Sequence, residues 1–273
     1  MLSWLLYLIA DGVTRLLPRG AADRLGRGIA RLVFGLHVPA RAQLESNLRH
    51  LLGPGHEAQV VPTARAAFEN FALSLTDFLR LGRRDYRRLE ELIEVQGAEH
   101  LAAARSSGRG VILLSAHLGS WELGAAWLAG TGAPVHMVAR PHPSRLVERF
   151  YARRRGACGV AQITTRPLWV GAARVLRRGE WVALMVDRGA SDRAGAGRAS
   201  AGRWAASLAR RTGALVLPGV IVRLPDRRFS ARFGRPCEAM ELGGDGPLHV
   251  LHEQVREHAN QWAAFEPLPE GLS

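Results

Sequence analysis

A chain of 273 residues with 47% hydrophobic content can build one large core, and it is too apolar to remain disordered. The formal net charge is +13, and all 37 basic residues are arginine, because the chain contains no lysine. A surface of this kind suits phosphate, anionic lipid or an acidic protein. Nucleic acid is disfavoured as a partner by the lack of a zinc finger, a helix-turn-helix signature or an aromatic RNA-binding motif.

The first ten residues are apolar, but Asp11 and Arg15 interrupt them well short of the roughly 20 residues that a membrane-spanning helix needs. No cleavable secretory signal is evident. Residues 1 to about 36 read as one or two helices broken at Pro18. Leu25, Ile29, Leu32, Val33 and Leu36 recur at helical spacing among Arg19, Arg24, Arg27 and Arg31. Apolar anchors interleaved with arginine describe a helix lying in a membrane interface, and equally one packed on the protein's own core. Arg41–Leu52 and Pro62–Leu81 read as further helices, separated by Gly53-Pro54-Gly55.

From Leu89 short apolar runs alternate with amphipathic segments. Strands are expected at Leu92–Val95, Val111–Ser115, Val135–Val138, Gln162–Thr164, Trp181–Val186, Leu215–Ile221 and Phe229–Phe233. Helices are expected at Trp121–Ala129, Pro143–Arg154, Pro167–Arg177, Ala199–Thr212 and Leu248–Ala264. The alternation predicts an α/β fold, a mainly parallel central sheet flanked by helices, with an N-terminal helical extension. The organisation expected is an N-terminal, membrane-associating helical part over 1–88 and an α/β domain over 89–273, forming one structural unit. Sites in such folds gather beyond the carboxyl ends of strands, where His117, Arg140 and Asp187 would fall.

The stretch Val111-Ile112-Leu113-Leu114-Ser115-Ala116-His117-Leu118-Gly119-Ser120-Trp121-Glu122 carries the chemistry. A β-prone run delivers His117 into a Gly/Ser turn, and Glu122 falls in the first turn of the next helix, with Ser120 as its expected N-cap. A carboxylate on one imidazole nitrogen fixes the tautomer and leaves the other nitrogen free as a general base. A histidine after a buried strand is also commonly a hydrogen-bonded structural residue. A serine nucleophile is the rival mechanism, but neither Ser115 nor Ser120 lies in a Gly-x-Ser-x-Gly elbow.

This block resembles the His-x4-Asp/Glu motif of glycerolipid acyltransferases, and in the form His-Leu-Gly-Ser-Trp-Glu the branch that adds late acyl chains to lipid A and related glycolipids. Asn47-Leu48, Asn70-Phe71 and Gly97-Ala98-Glu99-His100-Leu101 resemble that family upstream. Val138-Ala139-Arg140-Pro141, Arg155-Gly156-Ala157-Cys158-Gly159, the segment Gly179–Arg188 and Gln261-Trp262 resemble it downstream. The small, polar and basic stretch 189–200 departs from the acidic and Phe-rich pattern of the family, which leaves the acyl-chain pocket unspecified.

The resemblance implies a membrane-associated O-acyltransferase at the cytoplasmic face of a bacterial inner membrane. His117 would act as base and Glu122 as the group that orients it. Arg140, Arg155, Asp187 and Arg188 would serve substrate binding, the arginines by holding phosphate. The donor implied is acyl carrier protein or acyl-CoA, and the acceptor an anionic membrane glycolipid, with a lipid A precursor first. A phosphatidylinositol mannoside, lysophospholipid or specialised lipid as acceptor, and a non-catalytic lipid- or carrier-binding relative, remain alternatives. No cofactor is expected, because neither a Walker loop nor a dinucleotide fingerprint is present. No metal is expected: His249, His252 and His258 with Glu253 and Glu257 read as the polar face of an amphipathic helix, and Cys158 and Cys237 lack ligand spacing.

Overall fold

The structure is a computed structural model and describes residues 2–81, 89–139, 142–164, 168–187, 201–241 and 246–268. The first described elements are four helices: α1 (Leu2–Leu16), α2 (Arg19–Gly35), α3 (Pro39–Leu52) and α4 (Glu57–Arg80). Pro18 stands between α1 and α2 with extended ψ, as its ring and missing N–H favour at a helix start. Gly53 ends α3 with φ of 76°. Pro62 does not start α4 but lies inside it, in the second turn, where its missing N–H cannot donate to Ala58 O four residues back.

The remaining elements in chain order are α5 (Leu89–Leu92), β1 (Ile93–Gln96), α6 (Ala98–Ser106), β2 (Val111–Ser115), α7 (Trp121–Gly130), β3 (Val135–Ala139), α8 (Arg145–Ala157), β4 (Ala161–Thr164), α9 (Leu168–Arg177), β5 (Trp181–Met185), α10 (Ala201–Thr212), β6 (Leu215–Arg223), β7 (Phe229–Phe233) and α11 (Pro247–Glu257). The sheet has seven strands in the order β1-β7-β6-β2-β5-β3-β4. Every neighbouring pair is parallel except β6 with β7, which are antiparallel. The expected α/β architecture with a helical N-terminal part is therefore present.

Two further differences from the sequence expectation go beyond a shift of an element's end. The Ala-rich run after Gly97 forms α6, a helix that the apolar pattern alone did not single out. The expected helix over Leu248–Ala264 stops at Glu257; a 3-10 turn over Ala259–Gln261 and an extended strap follow. The strap spends its backbone groups on the turn after β2: Ala263 N–H donates to His117 O at 2.8 Å, and Gln261 O accepts from Gly119 N–H at 3.1 Å. A continuing helix would have consumed those groups internally.

The central strands are buried on both faces, which is why their sequences are continuous apolar runs rather than alternating ones. Ile112, Leu114, Ala116, Val182, Leu184, Val216 and Val220 point into one core, shared with α3, α4, α9, α10 and α11. Val111, Trp181, Ala183, Leu217 and Ile221 point into the other, covered by α6, α7 and the end of α4. The period-2 alternation of the strand sorts the two sets. Among the described residues no helix is long and apolar enough to cross a membrane.

Candidate active site

The parallel pairing of β2 with β5 sets Ser115 opposite Met185. Two residues further along each chain come His117 and Asp187, so strand parity carries both side chains to the same face at the carboxyl rim. His117 Nδ1 lies 2.8 Å from Asp187 Oδ1, and His117 N–H donates to Asp187 Oδ2 at 2.8 Å. A carboxylate only accepts, so Nδ1 bears the proton and the free lone pair belongs to Nε2. Among the described residues Nε2 has no hydrogen-bond partner.

A third donor completes the carboxylate's shell: Trp262 Nε1–H reaches Asp187 Oδ2 at 2.9 Å from the C-terminal strap. Burial pushes the Asp187 carboxyl upward, but the charge of His117 and the hydrogen bonds from His117 and Trp262 outweigh it and hold the group below the usual carboxylate range. Asp187 is therefore an anion aimed at an imidazole.

Glu122 does not occupy the position expected for it. Both of its oxygens are held by Arg155, with Nε at 3.0 Å from Oε2 and Nη2 at 2.5 Å from Oε1. Arg155 also donates through Nη1 to Gln162 Oε1 at 2.8 Å, and Gln162 in turn donates to Glu148. The sequence placed Glu122 on the imidazole; Asp187, 70 residues away, takes that place in the structure. Helix geometry explains the exchange. Glu122 sits in the first turn of α7 and faces α8, while the next parallel strand delivers its carboxylate level with His117.

The same contacts correct Arg155 as a free phosphate clamp: its guanidinium is committed to Glu122 and Gln162, with only 13% of the side chain exposed. Burial alone would lower the Arg155 pKa, but Glu122 outweighs that and raises it. Arg140, Arg188 and the stretch 189–200 lie outside the described residues, so their expected roles find no structural account. His249 pairs with Glu253 along α11, and His258 with Glu257 beyond its end.

The turn itself is built on glycine. Gly119 has φ of 58°, and a Cβ there would stand 2.0 Å from Ile221 O, so no other residue fits. Gly124 lets α7 approach β6, since a Cβ would meet Ile221 Cγ2 at 2.8 Å. Leu118 forms a β-bridge with Trp262.

Helix α4 supports the turn from behind. Ser74 Oγ donates to Gly119 O at 2.7 Å, and Asn70 Nδ2 donates to Asn260 O at 2.8 Å. Ser120 begins α7 as expected but makes no side-chain cap; its hydroxyl donates at 2.5 Å to the buried carboxylate of Asp77, which also binds Arg223. Gln261 secures Arg223 in turn through its backbone N–H and carbonyl. Asp77, Arg223 and the structural use of Trp262 were not legible beforehand. The signal available was a polar column, Asn70, Ser74 and Asp77, on an otherwise apolar stretch of helix.

One wall of the site is aromatic. The His117 and Trp121 rings meet edge to face at 5.2 Å, and Trp121 stacks on Phe71 at 6.2 Å. Apolar surface beside an unprotonated nitrogen can lower the local dielectric for proton transfer and hold a hydrocarbon chain.

A phosphatidylinositol mannoside acyltransferase of Mycobacterium tuberculosis H37Rv is 29% identical over 189 residues, 64% of this chain and 59% of that protein. Its counterpart in Mycolicibacterium smegmatis is 32% identical over 109 residues, 40% and 36% of the two chains. The chain thus spans from about a third to three fifths of the length of these curated relatives. The lipid A biosynthesis lauroyltransferase of Escherichia coli K12 is 25% identical over 236 residues, 82% of this chain and 75% of that one. The solved structure of the 1-acyl-sn-glycerophosphate acyltransferase PlsC of Thermotoga maritima aligns with 89% of the chain at 14% identity, with a TM-score of 0.41, too low to bear on function. The family model described as bacterial lipid A biosynthesis acyltransferase matches residues 1–245, and the chain belongs to that family.

Proposed function

We propose that the protein is a membrane-associated O-acyltransferase that moves a fatty acyl group from a thioester to the hydroxyl of a glycolipid. The observation that carries this reading is the His117–Asp187 pair, with Nδ1 bonded at 2.8 Å and Nε2 without a hydrogen-bond partner among the described residues. Nε2 takes the proton of the acceptor hydroxyl as the oxygen attacks the thioester carbonyl. Asp187 holds the tautomer and offsets the charge of the imidazolium. Collapse of the tetrahedral intermediate breaks the C–S bond, and the proton on Nε2 passes to the leaving thiolate. Trp121 and Phe71 line the approach for the acyl chain. Glu122, clamped by Arg155, fixes α7 against α8 and so positions the turn that carries His117.

The donor in this reading is acyl carrier protein or acyl-CoA. The acceptor is an anionic glycolipid, for which a lipid A precursor is favoured by the family match over residues 1–245. A phosphatidylinositol mannoside is the second reading, favoured by the mycobacterial relatives. Arg140 and Arg188 are proposed to meet acceptor or donor phosphates.

Membrane association is supported by the outward surface of the first two helices, and the face proposed is the cytoplasmic face of the inner membrane. Leu5, Leu6 and Ile9 of α1 and Leu25, Ile29 and Leu32 of α2 are exposed large apolar side chains, interspersed with exposed Arg24 and Arg27.

Lipid mass spectrometry of a host lacking the chain, expressing it, or expressing His117→Ala tests the reading. One acyl chain gained on a defined lipid, and lost in the variant, is the expected result. Identical lipids in all three hosts, with the acceptor present, would remove it.

A further inference from the structure

Some arginines on the described surface are paired, Arg31 with Glu69, Arg109 with Glu238, Arg178 with Glu180 and Arg228 with Asp226. Others, such as Arg24, Arg27, Arg174, Arg177, Arg210 and Arg211, are exposed and form no ion pair among the described residues. Helix α8 sets three of the unpaired ones in register. Arg145, Arg149 and Arg153 recur every fourth residue, so they form one column on a single helix face, about 12 Å long at the helical rise. All three are exposed, and among the described residues none has an ion pair or hydrogen bond. Like charges at this spacing repel one another, so the column stands at a cost to the isolated helix.

The inward side of the same helix is fully engaged. Arg154 binds Asp11 of α1 and donates to Leu79 O at 2.5 Å, and Arg155 holds Glu122. Tyr151 and Phe150 pack against Tyr7 and Trp4 of α1. Helix α8 begins at Arg145, just beyond the carboxyl end of β3, and β3 runs parallel to β5, whose carboxyl end leads to Asp187. The column therefore starts at the rim that holds His117 and leads away from it.

We propose that this column docks an acidic protein, namely the thioester-bearing carrier; the inference rests on the acyl-transfer reading above and names its donor. Complementary charge is what three uncompensated guanidiniums in register would recognise on a protein surface. A lipid surface fits this face poorly. Among the described residues of α8, Leu146 is the one exposed large apolar side chain, whereas α1 and α2 each expose several, those of α2 interspersed with arginine. A carrier seated on α8 would present its acyl arm at the rim while α1 and α2 face the bilayer, leaving both substrates access to one histidine.

The experiment is titration of full-length protein with acyl carrier protein, comparing wild type, the column variant R145E/R149E/R153E and a charge-matched variant, R210E/R211E/R256E. The column variant is expected to bind the carrier about tenfold more weakly or worse, with a shallower salt dependence, and the matched variant to change by less than about threefold. Sedimentation of all three with anionic phospholipid vesicles is expected to be equal. Equal loss in both variants would reduce the effect to net charge and overturn the proposal. It is also overturned by undiminished carrier binding in the column variant, or by loss of vesicle binding with carrier binding kept. Matching thermal melts identify folded protein, and the single variant R149E, expected to bind the carrier more weakly than wild type, keeps the test open if the triple variant melts early. Carrier binding that depends on the column, without transfer by wild type to any lipid, would remove the acyl-transfer reading while leaving the docking surface in place.

Discussion

Two carboxylates flank the His117 turn, and they are held in opposite ways. Asp187 lies on the sheet side, buried, and three N–H donors aim at it: the imidazole, the His117 backbone and the Trp262 indole. Glu122 lies on the helix side, also largely buried, and spends both oxygens on one guanidinium. The first environment keeps an anion in contact with a titratable ring. The second neutralises an anion against a permanent cation and joins two helices. Proximity to the histidine in sequence thus identifies the structural partner, and proximity in the sheet identifies the chemical one.

The sharpest test of that contrast is Asp187→Asn against Glu122→Gln. Asp187→Asn should cut turnover by about 10²–10⁴-fold, because the imidazole loses both its charge partner and its fixed tautomer. Glu122→Gln should cost less than about tenfold in turnover if its role is positioning. Steady-state kinetics with a thioester donor measure both, and a larger loss in Glu122→Gln would invert the comparison. The pH dependence of stability separates them further. Asp187 is held below the ordinary carboxylate range, so its contribution is complete above about pH 4 and disappears as pH falls through the lowered value. Asp187→Asn should lose that acid limb in denaturation curves.

Next in size is the stability of the helix-side pair. Glu122→Ala leaves Arg155 buried without its partner and should cost about 3 kcal/mol. Adding Arg155→Met should recover a large part of it. A double-mutant cycle by urea melts gives the coupling, and additive losses would mean the pair is not a unit.

A smaller effect is expected at Trp262→Phe, which keeps the ring but removes a hydrogen bond to a charged acceptor, worth about 1.5 kcal/mol. Turnover should fall by about tenfold at nearly unchanged KM, since the indole acts on Asp187 and not on substrate. A rise in KM alone would place Trp262 in substrate binding instead.

The smallest effect is expected at Asp23. Burial and the neighbouring Asp77 raise the Asp23 pKa above its ordinary value despite Arg223, Arg19 and Arg227. A carboxyl raised on folding binds its proton more tightly in the native state, so its contribution weakens as pH climbs through the raised value. Asp23→Asn should therefore be slightly more stable than wild type at pH 7, by about 1 kcal/mol or less, and the gain should vanish near pH 4. Melting curves at the two pH values check this; a less stable variant at pH 7 would mean that the arginines dominate.

Much of this architecture is written locally. The strands Val111–Ser115 and Phe229–Phe233 appear where their β-prone runs place them: Val111–Leu114 is unbroken because both faces are buried, whereas Ser230 and Arg232 alternate with apolar residues in the second. Pro18 and Gly53 mark helix ends through backbone restrictions that each residue carries wherever it sits. His117 stands out because a histidine directly after such a strand lies at the sheet's rim whatever the strand order.

The tertiary structure alone decided which carboxylate meets that histidine. The Ser115–Met185 register, a property of two strands and not of either, brings Asp187 to Nδ1 and leaves Glu122 to Arg155. It also turned Leu248–Ala264 from one continuous helix into a helix and a strap, since backbone groups needed by the His117 turn could not remain inside a helix. Periodicity records which residues are buried; it holds no record of which distant backbone or charge they are buried against, because those contacts exist only once the chain has closed on itself.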